Sequence, residues 1–83
     1  MNQERLAQLQ LAYEEALLTH PEDRTPYENI LNMVQGLRAG TITLGQARRI
    51  LGYQAVRQDA DLAHQFLYRQ AATALRQMHR EEQ

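Results

Sequence analysis

Three histidines and ten carboxylates are the groups with which this 83-residue chain could move protons or hold a metal ion. His20, His64 and His79 are far apart, and none belongs to a His-x-x-x-His or Glu-x-x-His pair, the helical spacings that aim two ligands at one ion. Asp61 precedes His64 by three residues, so on a helix its carboxylate can orient the imidazole. General acid–base catalysis needs a third group and a pocket besides. The sequence names neither, and the pair reads as a surface helix contact. The segment His20-Pro21-Glu22-Asp23 gathers an imidazole and two acids, but it lacks the alternating oxygen ligands of a calcium loop and reads as a solvated acidic turn. No metal and no cofactor is expected. Covalent chemistry has still less to work with: there is no Ser, no Lys and no Cys, which removes the common nucleophiles and the Schiff-base amine. No catalytic residue is assigned, and the expected role is non-enzymatic.

What the chain does have is arginine. All nine basic residues are Arg, and seven of them lie from Arg38 onward, whereas six of the ten acids (Glu4, Glu14, Glu15, Glu22, Asp23, Glu28) precede residue 30. The net charge is only −1, yet the two signs are separated along the sequence. An acidic N-terminal helix can then lie against a basic C-terminal one, in the same chain or in a second copy. The planar guanidinium binds carboxylates bidentately and stacks on aromatic rings, which suits it to protein contact. Arg48, Arg49, Arg69 and Arg76 are the candidate partner-binding residues. The same arginines could cover a phosphate backbone. Residues 43–52, Thr43 to Gly52, look like the first helix and turn of a helix-turn-helix, with Gly52 at the turn. The resemblance fails after Gly52, because Gln58, Asp59 and Asp61 fall where a recognition helix would pack or face phosphate, and acids repel phosphate. The leading expectation is therefore a small helical protein–protein interaction module, regulatory or inhibitory. A helix-turn-helix-like nucleic-acid-binding regulator using residues 43–62 is the alternative.

The elements that must carry these side chains are all helical. Beta-branched residues are scarce, while Leu, Ala, Gln, Glu and Arg dominate. The expected fold is a single all-α domain, 1–83, with helices over about 3–18, 26–39, 44–51 and 55–80. In the first, Leu6, Leu9, Tyr13, Ala16 and Leu17 form one apolar face, and Ala7, Leu11 and Leu18 form a second stripe. Pro21 disfavours helix at His20, so 19–24 reads as a loop. Thr25-Pro26-Tyr27-Glu28 has the pattern of an N-cap, a first-turn proline and a capping box. Behind it Tyr27, Ile30, Leu31, Val34 and Leu37 make a one-faced stripe that Gly40 should end. Thr43-Leu44-Gly45-Gln46 repeats the capping pattern, and Gly52 should close that short helix. Asp59 or Asp61 would cap the last helix. Its expected buried face is Leu62, Ala63, Phe66, Leu67, Ala71, Ala74, Leu75 and Met78, opposite a polar face of Gln65, Arg69, Arg76 and Arg80, and 81–83 should fray.

A chain this short makes a marginal core and often needs disulfides, metals or self-association. With no Cys, disulfides are excluded. A first helix apolar on two sides points to a second neighbour, so a homodimer is expected, with Leu11 and Leu18 as its contact residues. No apolar run is long enough to cross a membrane, and residues 1–18 have no signal-peptide core, which makes the cytoplasm the expected location.

Overall fold

The computed structural model describes residues 3–57 and 61–81. Within them lie four helices and no strand: α1 (Gln3–Thr19), α2 (Arg24–Ala39), α3 (Leu44–Ala55) and α4 (Leu62–Glu81), with a single 3₁₀ turn at Pro21–Asp23. The all-helical expectation is met. Of the residues expected to fray, Glu81 instead ends α4 and pairs with Arg5, while 82–83, with Gln58 and Asp59, lie outside the described residues.

Helix α2 is the centre of the packing. Ile30, Leu31, Val34 and Leu37 are buried along the expected stripe, and α1 lies against it with Leu6 fully buried and Leu9, Tyr13, Ala16 and Leu17 half-buried. Two polar ties hold the far end of this pair: Gln3 Nε2 donates to the Arg38 carbonyl at 3.5 Å, and Arg38 Nη1 donates to Gln10 Oε1 at 2.6 Å. Gly40 ends α2 in the left-handed region, with φ 77°. Its N–H reaches the Leu37 carbonyl and the Thr41 N–H reaches the Gly36 carbonyl, so the last carbonyls of the helix are satisfied as in a Schellman motif. The chain then folds back so tightly that a Cβ on Gly36 would come within 3.1 Å of Ile42.

The start of α2 departs from the sequence pattern. The helix begins at Arg24, and Thr25 is not its cap. The first N–H groups of any helix lack an intrahelical partner, so a proline is tolerated throughout the first turn and not only at its first position. Pro26 uses this freedom to bury its ring. The 19–24 segment is likewise tighter than a loop, because the 3₁₀ turn feeds directly into α2.

Helix α3 begins as expected. Thr43 accepts from the Gln46 N–H at 3.1 Å, and the Gln46 side chain accepts from the Thr43 N–H at 2.8 Å. It does not end at Gly52. It continues to Ala55, because Ala47, Leu51 and Ala55 recur every four residues on one buried face and their packing outweighs the poor helix propensity of one glycine. The last helix starts later than 55. Asp61 caps it, with Oδ1 accepting from the Ala63 N–H at 2.7 Å. Tyr68, Ala71, Leu75 and Met78 are its buried face, and α3 packs along it as the second helical pair. Leu67 and Ala74 are half-buried as flanking residues, whereas Leu62, Ala63 and Phe66, expected inside, are exposed. At about 100° per residue, Leu62 and Phe66 point away from the direction set by Ala71, Leu75 and Met78.

One core joins the helices: Leu6 from α1, Ile30, Val34 and Leu37 from α2, Ala47 and Leu51 from α3, and Tyr68, Ala71, Leu75 and Met78 from α4. The Tyr68 hydroxyl accepts from Asn29 Nδ2 at 2.7 Å, which locks α4 against α2. Arg5 and Glu81 form an ion pair between the start of α1 and the end of α4.

Candidate functional site

The arginines divide into two groups. Arg5 pairs with Glu81, Arg24 with Glu28 at 2.6 Å, and Arg38 bonds Gln10, while Arg57 bonds Gln54 and lends its carbonyl to Gln65. The side chains of Arg48, Arg49, Arg69 and Arg76, and with them Arg80, have no ion-pair or hydrogen-bond partner among the described residues, although the Arg69 carbonyl accepts from the Thr73 hydroxyl at 3.0 Å. All but the half-buried Arg48 are exposed. A guanidinium with no internal partner keeps its full set of donors for something else.

Helical geometry decides what surrounds them. On α4 the outward stripe runs Leu62, Phe66, Arg69, Thr73, Arg76, Arg80, alternating steps of four and three, and every member is exposed. Leu62 is 80% exposed and Phe66 57%. A shallow cleft between Phe66, Arg69, Gln70, Thr73, Ala74 and Gln77 follows this stripe. On α3, Arg49, Tyr53 and Val56 lie opposite the buried Ala47, Leu51 and Ala55 and form an outward stripe of the same kind. Arg48 lies on the half-buried flank of α3. The four candidate arginines are thus spread over two neighbouring helices, each set beside large exposed apolar side chains. Sequence reasoning missed Tyr53 and Val56 because it stopped α3 at Gly52, left Ile50 unassigned, and placed Leu62 and Phe66 inside. The periodicity from Ala47 to Ala55 was the signal that could have found them.

The two residues expected to mediate self-association are exposed on the outer side of α1, Leu11 at 67% and Leu18 at 85%. Glu4, Glu14 and Glu15 share that side and are exposed with them.

A second polar group surrounds the 3₁₀ turn. His64 Nε2 lies 3.4 Å from Asp23 Oδ1, so the imidazole meets Asp23 from across the fold, while Asp61 is engaged as the cap of α4. His20 contacts Glu22 at 3.3 Å, and the Tyr27 ring packs near both Tyr13 and His20. Burial pushes the Tyr13 phenol above its ordinary 10.0, with the Tyr27 charge adding to it. Burial, then the charges of Asp23 and Glu22, does the same to Tyr27. The Glu22 carboxyl is held below 4.5, chiefly by a hydrogen bond from its own backbone N–H, with His20 assisting. Both phenols therefore stay protonated at neutral pH, which suits packing rather than proton transfer. Among the described residues no three His, Cys, Asp or Glu side chains gather where they could hold a metal ion. The cleft bounded by Asn29, Met33, Ile50, Gln54 and Tyr68 has a volume of about 140 Å³, below the roughly 300 Å³ at which small-molecule sites begin, whereas the shallow cleft from Phe66 to Gln77 reaches about 420 Å³. No helix among the described residues is long and apolar enough to cross a membrane. Comparison with protein-family models, with curated proteins and with solved structures returns no match.

Proposed function

We propose that this chain is a small non-enzymatic protein–protein interaction module, a regulatory or inhibitory binding protein that works in the cytoplasm as a homodimer. One observation carries the reading: the guanidinium groups of Arg49, Arg69 and Arg76 have no partner among the described residues and stand on the outer sides of α3 and α4 beside Tyr53, Val56, Leu62 and Phe66. Arginine and aromatic side chains on one surface are the composition of a contact core, and arginines around apolar groups favour an acidic, amphipathic partner segment. Contact there would act by covering or bridging the partner. Leu11 and Leu18 on α1 are the proposed self-association residues, since leucines this exposed gain most from a second copy. The absence of Ser, Lys and Cys supports the non-enzymatic part.

The experiment is a pull-down of the tagged chain from native lysate, with and without nuclease, read by mass spectrometry. A stoichiometric protein that survives nuclease and is lost with Arg49→Glu and Tyr53→Asp is the expected result. Co-purifying material that disappears on nuclease treatment would instead favour the regulator reading of residues 43–62. That reading has lost one support, because Gly52 lies inside α3 and not at a turn.

A further inference from the structure

From the two outward stripes we infer which surfaces meet when this chain self-associates: the acidic, leucine-bearing side of α1 docks on the arginine stripe of α4 in a second copy. The inference rests on the homodimer part of the proposed function, specifies its contact, and gives Arg69 and Arg76 to the second copy, which leaves partner binding to Arg48 and Arg49 on α3.

The stripes match in spacing, length and charge. On α1 the outward positions are Glu4, Ala7, Leu11, Glu14 and Leu18, with steps of three, four, three and four. On α4 they are Leu62, Phe66, Arg69, Thr73 and Arg76, with steps of four, three, four and three. Each spans about 21 Å at 1.5 Å per residue. Laid antiparallel, the two sets of steps coincide. Leu18 then meets Leu62, Ala7 meets Thr73, and Glu4 meets Arg76 with Arg80 one turn on. Glu14 faces Phe66 and Leu11 faces Arg69, so Leu11 with Phe66, and Glu14 with Arg69, meet on the diagonal, one step of about 4.5 Å along the axes.

The alternatives are electrostatically poorer. Pairing α1 with α1 gathers Glu4, Glu14 and Glu15 of both copies on one interface, and no base on that side relieves them, because Arg5 is held by Glu81. Pairing α4 with α4 gathers Arg69, Arg76 and Arg80 of both copies on one interface, none with a counter-ion among the described residues. Like charges facing each other across an interface select against a pairing, and opposite charges set its register. Only the α1–α4 contact is complementary at both its apolar end and its charged end.

Charge reversal tests this directly. One variant carries Glu14→Arg with Glu15→Arg, the other Arg69→Glu with Arg76→Glu. All four side chains are exposed, so both variants should keep the wild-type circular dichroism spectrum. In sedimentation velocity each variant alone should lose self-association by roughly a hundredfold or more. An equimolar mixture should recover it, because each reversed stripe then finds an oppositely charged mate. Self-association of the Arg69→Glu, Arg76→Glu variant alone, at wild-type strength, would overturn the inference and place the contact elsewhere. A mixture that stays monomeric would also overturn it. Monomeric wild type would remove this inference and the homodimer together, while the partner-binding part of the proposed function stands or falls by the pull-down.

Discussion

Exchanging the glycines of α2 and α3 for alanine should move stability in opposite directions. Gly52 lies within α3 with a negative φ, and a Cβ built there meets no atom within 4 Å. Its replacement therefore removes the glycine penalty of a helix interior, about 1 kcal/mol, without a clash. For a domain of this size that corresponds to a rise in Tm of about 4–8 °C. Gly40 also has open space around its Cβ position, yet its φ of 77° is one that L-residues adopt at a cost of roughly 1–2 kcal/mol. Gly40→Ala should accordingly lower Tm by a comparable amount. Thermal denaturation followed by circular dichroism at 222 nm, the helix band, measures both at one protein concentration, which keeps any self-association constant. If Gly52→Ala lowered Tm, Gly52 would be a helix terminus after all, α3 would be the short helix of the sequence pattern, and the outward stripe of Arg49, Tyr53 and Val56 would not exist.

Other perturbations follow from single contacts. Thr43→Ala removes the hydroxyl that accepts from the Gln46 N–H, leaves the Thr43 N–H bonded to the Gln46 side chain, and should cost about 1 kcal/mol in urea unfolding. Tyr68→Phe leaves Asn29 without its acceptor at the part-buried seam of α2 and α4 and should also cost about 1 kcal/mol, with the helical content unchanged. The folded-state pKa values of Tyr13 and Tyr27 are raised, so their contribution to stability is fully present below pH 10.0 and is lost as pH rises through the folded values. Tyr13→Phe should flatten that alkaline decline in urea midpoints, and an unchanged slope would contradict the burial of the phenol.

Local chemistry was legible where it acts over three or four residues. The stripe from Ile30 to Leu37, the left-handed Gly40 and the Thr43–Gln46 box could all be read because each is settled by neighbours in sequence. The start of α2 could not. Thr25-Pro26-Tyr27-Glu28 satisfies a capping rule, but Pro26 is equally allowed in a helix that already began at Arg24, and its burial decides between the two. Gly52 misled for a related reason: propensity marks it as a stop, and the packing of Leu51 and Ala55 overrides propensity.

The site was half legible. Charge separation singled out the arginines, and the structure leaves the four chosen side chains without partners among the described residues. Their apolar neighbours were hidden, because the outward positions of Tyr53, Val56, Leu62 and Phe66 depend on where α3 ends and α4 begins. The Asn29–Tyr68 and Asp23–His64 contacts join residues far apart in sequence, which no local pattern encodes.

The most direct measurement of the central claim is an amide chemical-shift dilution series by nuclear magnetic resonance. The account predicts concentration-dependent shifts clustered on the outer sides of α1, around Leu11 to Leu18, and of α4, around Leu62 to Arg76, with the amides of Ile30, Val34 and Leu75 in the core unmoved. Shifts that are absent, or that spread without regard to these two stripes, would contradict it and leave the arginines and exposed leucines as ordinary solvated surface.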